Sequence, residues 1–253
     1  MDKTFPVDKI CRLPHFRKRE EPIKYIIIHC SRGNTAEQLD ILNKNGLSVH
    51  YIIDAKGKIT EVIPPEDVAY HAGISHWKDS LGESLNGSSI GIEVQSTYMG
   101  QKKRSYTGVA ITSLCRLLKF LTHKYKIRSE NILGHSDVAP TRKPDPGARF
   151  PWLQLYNNGV TFRWHDRILS PITDEVELLK IIGYDVSNLA ATRYAFCRHF
   201  LPDEVFVEED IQKLLDNPYP KDFKPKDWDF YMRRLRAVAQ AYESERKRSY
   251  WYL

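Results

Sequence analysis

Six residues, Tyr25–Cys30 (YIIIHC), constrain this chain most. They are rich in β-branched side chains and apolar on both faces, so they read as a central strand buried on both sides. Such a strand needs a sheet with cover on each face. Thr35–Asn45 reads as a short helix stopped by Gly46. Thr107–Lys126 reads as a longer one, with Ala110, Leu114, Leu117, Leu118, Leu121 and Tyr125 in one stripe. Val49–Asp54 and Lys58–Ile63 flank Ala55-Lys56-Gly57, a hairpin signal. In Ser89–Gln95, Ile90, Ile92 and Val94 share one face and Gly91, Glu93 and Gln95 the other. Asn131–Leu133 reads as a short strand leading into Gly134 and His135. The expected fold is α/β, a mixed β-sheet covered by helices.

From about Gly159 the character changes. Helical patterns appear over Glu175–Ile182, Ala190–Phe200, Val207–Asp216 and Trp228–Glu245, with no convincing strand. Pro218, Pro220 and Pro225 break the chain before the last of these. The 253 residues divide into an α/β domain over 1–165 and a small all-α domain over 166–253.

Residues 134–147 read GHSDVAPTRKPDPG. His135 and Asp145 are competent metal ligands, and Pro140, Pro144 and Pro146 stiffen the loop between and beyond them. The third candidate is His29, near the end of the buried strand. Adjacent strand residues point to opposite faces, so Cys30 faces the core if His29 faces a site. HExxH and CxxC spacings are absent. On residue chemistry alone, a polar turn and a satisfied core histidine stand beside the metal reading.

Five motifs run in order through residues 23–153: IIIHCS (26–31), SVHYIID (48–54), AYHAG (69–73), SSIGIEVQ (88–95) and GHSDVAPTRKPDPG (134–147). Together they resemble the zinc-dependent N-acetylmuramoyl-L-alanine amidases of the AmpD-like type, relatives of phage amidase-lysozymes and peptidoglycan-recognition proteins. The resemblance implies one zinc ion per chain, held by His29, His135 and Asp145 with a fourth position open. It implies Glu93 as the catalytic glutamate and Lys143 as the group that stabilises the oxyanion. Tyr70, His71, Ala72 and Gly73 match a segment that lines the substrate groove. Glu93 shares its face with Gly91 and Gln95, which leaves room for water beside it. His50 reads as a buried histidine behind the site or a substrate contact. The implied activity is hydrolysis of the amide between (1,6-anhydro-)N-acetylmuramic acid and L-alanine. The alternative is a protein that recognises muropeptides without cutting them.

Leu178–Val186 and Ala190–Pro202 resemble a small three-helix peptidoglycan-binding domain, through the Gly183-Tyr184 turn and Ala195, Phe196 and Phe200. A helical cap that only stabilises the first domain is the other reading. The formal charge is +6, with Lys and Arg spread along the chain and no nucleic-acid motif. The expected partners are therefore peptidoglycan fragments and not nucleic acid; a basic surface attracts acidic peptides. No apolar run reaches membrane-span length. Residues 1–21 lack the apolar core of a signal peptide, so the expectation is cytoplasmic, or periplasmic if a leader has been removed. The four cysteines form no CxxC pair and are expected as free thiols.

Overall fold

A computed structural model describes residues 5–249, apart from 79, 81, 82, 103, 206, 207 and 209. The strands are β1 (Lys9–Ile10), β2 (Phe16–Lys18), β3 (Tyr25–Ser31), β4 (Tyr51–Ile53), β5 (Ile59–Glu61), β6 (Asp67–Ala69), β7 (Ser89–Gln95) and β8 (Ile132–Gly134). The helices are α1 (Thr35–Lys44), α2 (Gly108–Tyr125), α3 (His135–Val138), α4 (Trp152–Asn157), α5 (Glu175–Ile182), α6 (Leu189–Phe200), α7 (Ile211–Asp216) and α8 (Trp228–Ser249). Six strands form one mixed sheet in the order β1-β5-β4-β7-β3-β8. The central strand β3 runs parallel to β7 on one side and to β8 on the other. β4 and β5 form the expected antiparallel hairpin. β2 and β6 make a separate antiparallel ribbon.

The long periodic elements fall where the sequence puts them. Ala110, Leu114, Leu117, Leu118 and Leu121 of α2 are buried, and Thr107 caps the helix by accepting from the Ala110 amide. Several short elements were not legible. β1, β2, β6 and α4 are too brief to carry a period. The first turn after Gly134 is helical (α3), where the sequence reads as a proline-stiffened loop. Val207, the expected start of one helix, lies outside the described residues; α7 begins at Ile211.

Alternation along the strands divides the core in two. Ile26, Ile28 and Cys30 of β3 join Ile90, Ile92 and Val94 of β7 and the apolar stripe of α2. On the opposite face, Tyr25, Ile27 and Leu133 join Leu178, Leu179 and Ile182 of α5, Phe196 and Phe200 of α6, and Tyr231, Leu235 and Val238 of α8. That second cluster is continuous across residue 165. The late helices cover the sheet face to which His29 also belongs, two residues beyond Ile27. No helix among the described residues is long and apolar enough to cross a membrane.

Candidate metal centre

The site forms at the carboxyl ends of three neighbouring parallel strands. His29 on β3 and Glu93 on β7 are register partners, so their side chains leave the same face. β8 ends at Gly134, and the chain turns into α3 with His135 as its first residue. The 139–145 segment then brings Asp145 back, tied by its carbonyl to the Ser136 amide at 2.8 Å. Sheet pairing thus sets two of these positions and a ten-residue loop sets the rest.

Three ligand atoms converge. His29 Nδ1 lies 3.0 Å from His135 Nδ1 and 3.2 Å from Asp145 Oδ2, and His135 Nδ1 lies 3.1 Å from the same oxygen. Their outer partners set the tautomers. His135 Nε2 faces the Ala72 carbonyl at 3.0 Å, an acceptor only, so in the neutral ring Nε2 carries the proton and leaves Nδ1 bare. For His29 the reasoning passes through two more residues. The Ser89 hydroxyl donates to the Leu85 carbonyl at 2.7 Å and so accepts from His71 Nε2 at 3.3 Å. That leaves His71 Nδ1 as the acceptor for His29 Nε2–H at 3.0 Å. His29 Nδ1 is therefore bare as well. Two nitrogen lone pairs and a carboxylate oxygen then point at one another, an arrangement that a cation between them would satisfy. The three separations are close to the roughly 3.3 Å edge of a tetrahedron with metal–ligand distances of about 2.0 Å. All three residues are buried. The donor set of two imidazoles and one carboxylate fits a metal ion, with each imidazole fixed from behind in the usual way.

A sequence profile for the N-acetylmuramoyl-L-alanine amidases matches residues 19–148. The amidase AmiD of Escherichia coli strain K12 is 32% identical over 222 residues, 75% of this chain and 79% of that one. This chain belongs to the N-acetylmuramoyl-L-alanine amidase family. The 1,6-anhydro-N-acetylmuramyl-L-alanine amidase AmpD of E. coli is 35% identical over 109 residues, 43% of this chain and 56% of that one. A structure of E. coli AmiD with the substrate anhydro-N-acetylmuramic acid-L-Ala-D-γ-Glu-L-Lys matches with a TM-score of 0.66 at 27% identity, over 88% of this chain and 89% of that one.

In this amidase, Glu93 Oε2 is buried and has no hydrogen-bond partner among the described residues. Burial, and then the Asp145 charge, push the Glu93 carboxyl up to about 8. Burial, with the charge of His135 next, pushes His29 down to about 4. Asp145 goes the other way. Its burial raises it, but His135 and His29 outweigh that and hold it well below the usual carboxylate range. The Lys143 charge adds a smaller downward influence on both His29 and Glu93.

The groove segment is more divided than its motif suggests. Gly73 is exposed, with φ of +58°, and Tyr70 is partly buried. Ala72 is buried, and what it offers is its carbonyl, shared by His135 Nε2 and Arg142 Nη2. His71 turns its ring towards His29, not outward. The space beside Gly91, expected to hold water, is filled by that ring, which a Cβ at Gly91 would meet at 2.4 Å. His50 is 0% exposed, so it cannot reach substrate. It accepts from the Gly91 amide at 2.9 Å and faces the Asp67 carbonyl at 3.3 Å. His50 immediately precedes β4 and its ring meets the Asp67 end of the ribbon, which supports the buried reading.

Several residues of the site carried no sequence signal. Ser89 and Leu85 set the orientation of His71. Arg142 ties the Ala72 and Ile74 carbonyls to the metal loop at 2.8 and 2.6 Å. A serine on a strand and one arginine in a basic loop look ordinary until the chain is folded.

Proposed function

We propose that the cluster holds one zinc ion and that this amidase cuts the amide between N-acetylmuramic acid and L-alanine in peptidoglycan fragments, including anhydro-muropeptides. The observation that carries the reading is the convergence of three buried ligand atoms, with the unpartnered oxygen of Glu93 on the neighbouring strand. A zinc ion bound there supplies Lewis acidity to the amide carbonyl and the attacking water. Glu93 takes the water proton and delivers it to the departing alanine nitrogen; its raised affinity for a proton suits both halves of that task. Lys143 faces the charge that develops on the carbonyl oxygen. Tyr70 and Gly73 line the approach. A cavity of about 320 Å³ opens beside it, bordered by Ile74, Ser75, His76, Ala139 and Thr141, with room for part of a stem peptide. AmiD of E. coli, similar over most of its length, takes an anhydro-muramoyl tripeptide as substrate, which supports the same class here.

The test is mass spectrometry of an anhydro-muramoyl tripeptide incubated with the protein, with and without a chelator. Release of free tripeptide, abolished by the chelator and restored by zinc, is the expected result. Intact substrate in a zinc-loaded sample overturns the reading for this substrate and favours intact wall or recognition without cleavage.

A further inference from the structure

Asp137 lies two residues beyond the ligand His135, on the four-residue helix α3, and is 1% exposed. Its carboxylate accepts three hydrogen bonds. The Gly134 amide donates to Oδ2 at 2.7 Å, His199 Nδ1 donates to Oδ2 at 2.8 Å, and the Tyr184 hydroxyl donates to Oδ1 at 2.7 Å. The first bond is local and closes the turn that begins with His135. The other two come from 47 and 62 residues later, from the turn after α5 and from the end of α6. His199 is itself held in a stack, 3.8 Å from the Trp152 ring and 4.0 Å from the Phe200 ring. The preceding residue, buried Arg198, reaches the Lys143 carbonyl at 3.5 Å. α6 therefore braces the metal loop at two points, one beside His135 and one beside Asp145.

A four-residue helix has almost no stability of its own. Its position must come from what it is bonded to, and a ligand displaced by a fraction of an ångström binds metal less well. We infer that Tyr184 and His199 are positioning residues that act through Asp137 to aim His135, so that the helices after residue 165 complete the metal centre. This rests on the metal reading of His29, His135 and Asp145. It gives those helices a task that does not depend on their binding glycan.

The test measures zinc affinity of the full chain by competition with a chromogenic chelator, alongside the thermal midpoint of the metal-free protein. Tyr184→Phe removes one hydroxyl and little volume. His199→Phe keeps an aromatic ring in the stack and removes the Nδ1–H donor, and serves if the first variant folds poorly. Tyr231→Phe is the control: it removes a buried hydroxyl of the same helical core that bonds Glu175 at 2.8 Å, away from the metal loop. The expected result is zinc affinity lowered roughly tenfold or more in Tyr184→Phe and His199→Phe, the range for outer partners of metal ligands. Tyr231→Phe is expected to lower the midpoint but leave affinity within about twofold. Unchanged affinity in the first two variants, or an equal loss in the control, overturns the inference. A wild-type chain that does not compete for zinc overturns the metal reading itself, and this inference with it.

Discussion

Gly91 and His71 occupy one space: a Cβ at Gly91 would lie 2.4 Å from the His71 ring. The absent side chain of one residue is what lets the other stand behind His29 and orient it. Gly91→Ala is expected to displace His71, at a cost of about 1–3 kcal/mol in stability. With His29 no longer fixed, zinc affinity should fall roughly 10–100-fold. Thermal unfolding and chelator competition check both, and full affinity in a folded variant would show that His29 does not depend on His71.

Glu93→Gln keeps the shape of the side chain and removes its capacity to carry a proton. Zinc binding should persist while kcat falls by roughly a hundred- to ten-thousand-fold. Wild-type turnover in that variant removes Glu93 from the proposed mechanism.

Lys143→Ala should also leave the metal in place, because no ligand atom belongs to it. The expected loss is in kcat, by roughly a hundred- to a thousandfold, the range for one donor to a developing oxyanion. A change confined to KM would make Lys143 a substrate contact instead.

His29→Ala, His135→Ala and Asp145→Ala should each lower zinc occupancy, measured by metal analysis after dialysis, more than the loss of an outer partner does. Full occupancy in any one of them ends that ligand assignment.

His50 makes a pH prediction. Burial, with the Arg19 charge next, pushes it down to about 3 from an ordinary 6.5. The unfolded chain takes up this proton near 6.5 and the folded chain only near 3. Stability is therefore fully present above about 6.5 and is lost as pH falls from there towards 3. His50→Asn keeps an acceptor for the Gly91 amide and removes the titration. It should be less stable at neutral pH yet show a flatter acid limb in urea unfolding, and equal slopes for the two proteins would refute the assignment.

Much of this molecule was legible before folding. YIIIHC announced a doubly covered central strand, and β3 is that strand. The stripe of α2 and the hairpin of β4 and β5 followed from periodicity and turn chemistry. His29, His135 and Asp145 were legible through the five motifs, and the structure brings them together. The side chains of His50 and Ala72 are buried, which their motifs did not reveal, because a motif reports residue types while burial decides which of their atoms reach solvent.

Linear order determined the central strands and the long helices, because those signals repeat within one turn or one strand, and the candidate ligands came through the resemblance that the five motifs carry. Only the tertiary structure decided which atoms of those ligands are free. The proton on His29 is set through Leu85, Ser89 and His71. The turn carrying His135 is held by Tyr184 and His199, neither of which the sequence marked as part of the site. Hydrogen-bond partners separated by scores of residues leave no period in a sequence; they exist only once the sheet and the late helices close on each other.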